Sequence, residues 1–153
     1  ARARDAGMKV NEILAILEDL KKKLVQYVAM ESLEYLQKSG RIGNAAKWVG
    51  SVLRIRPLVS INHKSGLVEP ASLSRTHKGV IDLMYNKFFD HFKGKSKLHV
   101  AVMHGNILDE AEKMAERIQQ EFNPVELIVN ITGPVLGIST GPSAMALCGY
   151  AED

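Results

Sequence analysis

Ile131-Thr132-Gly133-Pro134-Val135-Leu136-Gly137-Ile138-Ser139-Thr140-Gly141-Pro142-Ser143-Ala144 holds two Thr-Gly-Pro units eight residues apart. No charged side chain occurs from Thr132 to Ala151, yet Gly, Pro, Ser and Thr interrupt the run too heavily for a membrane helix. Gly and Pro impose unusual backbone angles, and the hydroxyls both donate and accept hydrogen bonds. The stretch reads as a tight, uncharged loop whose backbone N–H groups and hydroxyls hold a small polar or anionic head group. The plainer reading is a buried turn that leads into a core strand.

The flanks of this loop set the fold class. Val125 to Ile131 has the β-branched content of a strand, and Ala144 to Tyr150 reads as one more. Upstream, Val10, Ile13, Leu14, Leu17, Leu20 and Leu24 recur at helical spacing, with Lys21-Lys22-Lys23 suiting the C-terminal end of the helix dipole. Leu24 to Met30 is a strand, and a short helix opened by Ser32 and Glu34 stops at Ser39-Gly40. A second helix is expected from Asn44 to about Leu53. Residues 56–61 and 67–73 flank the polar turn Asn62-His63-Lys64-Ser65-Gly66 as a hairpin, with Pro70 marking an edge or a strand end. His77 to Phe92 is a long helix, and Leu98 to Met103 a short strand. Asp109 is expected to cap a helix to about Phe122 that turns Ala111, Met114, Ala115 and Ile118 inward. Helices alternating with strands, plus one hairpin, predict a single α/β domain over residues 1–153: two layers, a mixed β-sheet covered by helices.

Composition narrows the function classes. With 46% apolar and 24% charged residues in 153, the chain is ordinary for a globular domain. Twenty Lys and Arg are interspersed with seventeen Asp and Glu, so no block reads as a nucleic-acid arm. Four Tyr, four Phe and one Trp leave little for a base-stacking platform. The single Cys148 excludes an internal disulfide framework, fits a reducing cytoplasm, and lies in an apolar run that reads as a buried, inert thiol. No apolar leader follows Ala1, and no unbroken apolar run is long enough to span a bilayer. A start at Ala directly before a helix points to half of a longer protein.

Enzymatic constellations are mostly missing. The five histidines lack zinc-site spacing and a Cys partner, and no phosphate loop or dinucleotide fingerprint is present. No metal or cofactor is therefore expected. Gly137-Ile138-Ser139-Thr140-Gly141 matches the letters of a nucleophile elbow, but Pro142 follows at once and no histidine lies beyond His104. Ser139 is not expected to be a nucleophile, and no catalytic residue is assigned. His104-Gly105-Asn106 lies at the C-terminal end of a strand, where ligands often bind in such sheets, and otherwise reads as a helix-entry loop. Arg41 and Arg75 stand between elements, with forked donors suited to a carboxylate or phosphate; their plainer role is to satisfy loop carbonyls.

Three segments carry a resemblance. Gly133-Pro134-Val135-Leu136-Gly137 with Thr140-Gly141-Pro142 resembles the closing motif of the DegV family of bacterial fatty-acid-binding proteins. Residues 33–42, Leu-Glu-Tyr-Leu-Gln-Lys-Ser-Gly-Arg-Ile, are similar to that family's "LEYLxKGGRI", and residues 50–57 to its "GxLLxIKPI". The resemblance covers the C-terminal half of the family, without the N-terminal domain that contributes Ser and Thr to the ligand head group. It implies a long-chain fatty acid as ligand, bound without a cofactor and held by Ser139, Thr140 and Gly141; His104, in a segment related to the family's "AHxN", is a further ligand-binding candidate. It further implies a partner fatty-acid kinase that receives the acyl carboxylate. Arg41 and Arg75 would lie on the face that meets the kinase or, transiently, a membrane surface. The family's closing motif usually reads Gly-x-His-Thr-Gly-Pro, and Ser139 stands where that His would be. A neutral hydroxyl makes a weaker anchor than a charge-assisted donor.

Two readings follow, and a third has little behind it. The chain is a carrier module that binds lipid and does no bond chemistry, or an interaction domain that has lost ligand binding. A phosphotransferase domain related to dihydroxyacetone kinases lacks any visible nucleotide motif. An apolar face left by the absent domain would also favour homodimers.

Overall fold

The computed structural model describes residues 2–50 and 55–152. Six strands form one mixed sheet: β1 (Val25–Ala29), β2 (Arg56–Ile61), β3 (Val68–Ser74), β4 (Leu98–His104), β5 (Glu126–Ile131) and β6 (Met145–Ala151). Their spatial order is β3-β2-β1-β6-β4-β5. Only β4 and β5 run parallel among these neighbours, because helix α5 (Leu108–Phe122) supplies the crossover that parallel strands need. The expected α/β architecture with a mixed sheet is therefore what the chain adopts. The last strand sits in its middle, antiparallel to β1 on one side and to β4 on the other.

Alternation along the strands divides the sheet into two faces. Ala29, Leu58, Val100, Val102, Met145 and Leu147 point to one of them. Helix α4 (His77–Asp90) and helix α5 cover that face with Val80, Met84, Phe88, Ala111 and Ile118, all almost fully buried. Thr76 starts α4 by accepting a hydrogen bond from the Gly79 amide at 3.0 Å. Helix α5 has no such cap: Ile107 precedes it without a side-chain bond, and Asp109, expected as the cap, lies inside the first turn. There its charge still suits the positive end of the helix dipole. Asn123 closes α5 in the left-handed region, φ 42°.

The other face carries shorter pieces. Helix α3 (Glu34–Lys38) and the 3-10 segment Gly43–Trp48 bury Leu36 and Ala45 against Val28, Met30, Val59 and Ala146. The helix expected from Asn44 is this tighter turn; its expected end near Leu53 lies outside the described residues. The stretch expected to be a tight loop is helix α6 (Pro134–Thr140). Pro134 occupies its first turn, where a missing N–H costs nothing, and Gly141 ends it at φ 83°. Gly and Pro here delimit a helix.

The expected amphipathic helix near the N-terminus is present, preceded by one more. Helix α1 (Arg2–Asp5) was not foreseen, and α2 (Val10–Lys23) buries none of its residues. Its apolar stripe is real, but Val10, Leu14 and Leu17 are 71%, 54% and 54% exposed. In the hairpin, β3 is an edge strand and Pro70 is paired to Val59 beside a bulge, consistent with the expected edge. The Asn62 Oδ1 accepts from the Lys64 and Ser65 amides and so shapes the turn.

Candidate functional site

A cavity of about 440 Å³ lies between the second face of the sheet and the pieces that partly roof it. Its floor is built row by row from strand register. Val28 pairs with Val59 and with Ala146, which itself lies one strand from Met103, so one row is wholly apolar. The roof comes from Leu36, the Gly40–Arg41 link, Leu67 and the inner face of α6. Such a volume falls within the usual range for a small-molecule site.

One end of this apolar space is polar. Thr132 follows β5, and Ser139 and Thr140 close α6; all three line the cavity. The Thr132 Oγ1 and Ser139 Oγ are buried and have no hydrogen-bond partner among the described residues. Orphaned buried hydroxyls are costly, and a ligand that bonds them removes that cost. The Thr140 hydroxyl is different, because it donates to the Leu136 carbonyl at 3.2 Å and retains only acceptor capacity. The backbone holds this end tightly. The Thr132 amide donates to the His104 carbonyl at 2.7 Å, Gly105 to Ala144 at 2.9 Å, and Asn106 to Pro142 at 2.6 Å. Gly105 is needed there, since a Cβ would stand 2.3 Å from the Pro142 carbonyl oxygen.

The residues anticipated for the ligand divide accordingly. Ser139 and Thr140 meet at the cavity. Gly141 adjoins them, but its N–H is taken by the Gly137 carbonyl at 2.8 Å and its Cα abuts the Tyr35 ring. It shapes the site and has no free amide for a head group. His104 is buried at 4% exposure and pairs across the sheet with Met145, on the α4–α5 side, and is not among the residues lining the cavity. Its Nδ1 is also unpartnered. Arg41 is exposed at the cavity rim, whereas Arg75 stands between β3 and α4, away from it. The sequence reading passed over Thr132, although the first Thr-Gly-Pro unit was its signal. It also read Cys148 as merely buried: the thiol lines the cavity, and burial pushes it up to about 11, so it stays neutral. Among the described residues there is no group of three or more His, Cys, Asp and Glu placed to hold a metal.

A family model described as "Uncharacterised protein, DegV family" matches residues 1–152. The chain belongs to the DegV family. A DegV domain-containing protein of Clostridium acetobutylicum is 33% identical over 153 residues, covering 99% of this chain and 52% of that protein. The crystal structure of DegV from Bacillus subtilis, described as a fatty acid binding protein, superposes with a TM-score of 0.82 at 26% identity. That match covers 97% of this chain and 52% of the other. A DegV family protein from Eubacterium eligens, loaded with heptadecanoic acid, superposes at 0.82 with 18% identity, over 99% of this chain and 54% of its own. The chain thus spans about half the length of the relatives it matches. The Bacillus subtilis protein is thus described as fatty acid binding, and the Eubacterium eligens protein as loaded with a fatty acid. No described helix is long and apolar enough to cross a membrane.

Proposed function

We propose that this chain forms one wall of a long-chain fatty-acid site, with the acyl chain along the sheet and the carboxyl group at Thr132 and Ser139. The observation that carries the reading is the apolar cavity ending in two buried, unpartnered hydroxyls. Each methylene buried there contributes about 0.8 kcal/mol, so the chain supplies most of the affinity and the head group needs few anchors. Two neutral hydroxyls hold a carboxylate less firmly than a charged donor does, and Arg41 at the rim adds a positive charge nearby. A carrier of this kind does no bond chemistry. It would present the carboxylate to a separate kinase, with Arg41 on the presenting side and, on the family resemblance, Arg75 on the partner face.

The exposed face of α6, with Val135 at 75% and Ile138 at 67% exposure, supports a role for the half of the relatives not matched by this chain. That half would cover this face and complete the site; a second copy would compete for the same surface. The test is calorimetric titration of the chain with hexadecanoic acid. Measurable binding that weakens several-fold in Ser139→Ala and tightens in Ser139→His is the expected result. No heat from the native chain or Ser139→His, alone or joined to the relatives' other half, would sink the carrier reading and leave the interaction-domain alternative.

A further inference from the structure

The cavity has a second polar place, far from Ser139. The floor rows run Met30 and Ala144, then Val28 and Ala146, then Gln26 and Cys148, the last two paired in register. Gln26 and Cys148 are the only polar side chains in that floor among the described residues. Among the described residues the Gln26 side chain makes no hydrogen bond, and its partner across β6 is Cys148. An amide facing an otherwise apolar acyl channel is left without a partner by an all-methylene chain, and a hydroxyl or carbonyl on that chain supplies one. The neutral thiol beside it is a weak donor and gives the same oxygen a second contact.

Register gives the position of that oxygen. Four residues separate Ala144 from Cys148, which is about 14 Å along a strand. An extended chain advances on the order of 1.2 Å per bond, so a chain whose carboxyl end lies level with Ala144, beside Ser139 in the cavity lining, brings roughly its twelfth carbon level with Cys148. We infer that Gln26, with Cys148, is a specificity-determining residue that selects a fatty acid bearing a mid-chain hydroxyl or oxo group over a plain saturated one. This rests on the fatty-acid reading, and the two fail in different ways.

The experiment titrates the native chain and Gln26→Leu with octadecanoic acid, 12-hydroxyoctadecanoic acid and 2-hydroxyoctadecanoic acid. The native chain is expected to bind the 12-hydroxy acid about ten-fold more tightly than octadecanoic acid, as a site built to hydrogen-bond a hydroxyl rejects the analogue lacking it. The 2-hydroxy acid, with its hydroxyl beside the head group, should gain nothing at Gln26. Gln26→Leu is of similar size and should reverse the preference toward octadecanoic acid. Equal affinities for octadecanoic and 12-hydroxyoctadecanoic acid, unchanged in Gln26→Leu, would overturn the selector and leave fatty-acid binding standing. Binding of none of the three acids, by the chain alone or joined to the relatives' other half, would overturn both. Circular dichroism of Gln26→Leu separates a lost preference from a lost fold.

Discussion

Gly141 shows how much one residue decides at the head-group end. Its φ of 83° and ψ of 169° lie in a region that only glycine occupies comfortably. A Cβ there would also stand 2.7 Å from the Tyr35 ring. Gly141→Ala is therefore expected to lower stability by about 1–3 kcal/mol, measured by urea denaturation. Adding Tyr35→Ala should recover only the part due to the ring, because the backbone strain remains. A neutral Gly141→Ala would mean that the end of α6 relaxes freely and that Ser139 and Thr140 are not rigidly held. The same neighbourhood explains why Ser139 was legible and Thr132 was not. Both hydroxyls sit in Thr-Gly-Pro surroundings, but only the folded chain shows that both are buried and unpartnered.

At the scale of elements, helix α4 joins the two halves of the sheet. Phe88 is fully buried, meets Phe89 and Phe92 edge-on, and touches the position of Gly149 in the central strand. A Cβ at Gly149 would come within 2.9 Å of the Phe88 ring, so the glycine makes room for the aromatic. Phe89 in turn stacks on Phe122 at 3.8 Å between ring centroids, tying α4 to the end of α5. Phe88→Ala should cost about 3–5 kcal/mol in the same denaturation experiment, through lost burial and the cavity left behind. A loss below about 1 kcal/mol would show that α4 and the sheet close over the gap. This helix was legible because Val80, Ile81, Met84, Phe88 and Phe92 repeat at helical spacing, and four of the five are buried in the core. Periodicity also found α2, although most of its stripe stays exposed and only Ile13 and Leu20 are half-buried. It was silent at α6, whose seven residues are too few for a repeat to show.

Across the whole molecule, His99 fastens pieces that are distant in sequence. Its Nδ1 lies 2.9 Å from Glu126 on β5 and its Nε2 2.9 Å from Glu152 after β6, while its ring stacks on Tyr150. Arg2 reaches Glu126 and the Tyr150 hydroxyl from α1, and Lys97 reaches Glu152. The hydrogen bonds from His99 hold both glutamate carboxyls below their ordinary value. A carboxyl depressed in the folded state contributes stability above its unfolded value and loses it as pH falls through the folded one. The difference in stability between the native chain and His99→Gln should therefore be largest above about pH 4.3 and shrink below it. Urea midpoints measured from pH 6 to pH 3 check this, and parallel curves would show that the cluster is not coupled to folding.

Local chemistry was enough to announce the class of the fold: apolar periodicity marks α4, α5 and the strands, and Asn, Gly and Pro mark the hairpin and the ends of helices. It also marked the hydroxyl-rich run from Thr132 to Ser143 as a place for a polar head group, while the resemblance to the DegV closing motif singled out Ser139 and Thr140 within it. The order of the sheet was beyond it. Val25 pairs with Gly149 and Leu98 with Ala151, and nothing in either segment names the other, since pairing between remote strands depends on how all the elements close together. The cavity has the same origin. Gln26, Thr132, Ser139 and Cys148 share it because β6 enters the middle of the sheet and α6 folds over that face, a proximity made by packing and not by spacing along the chain.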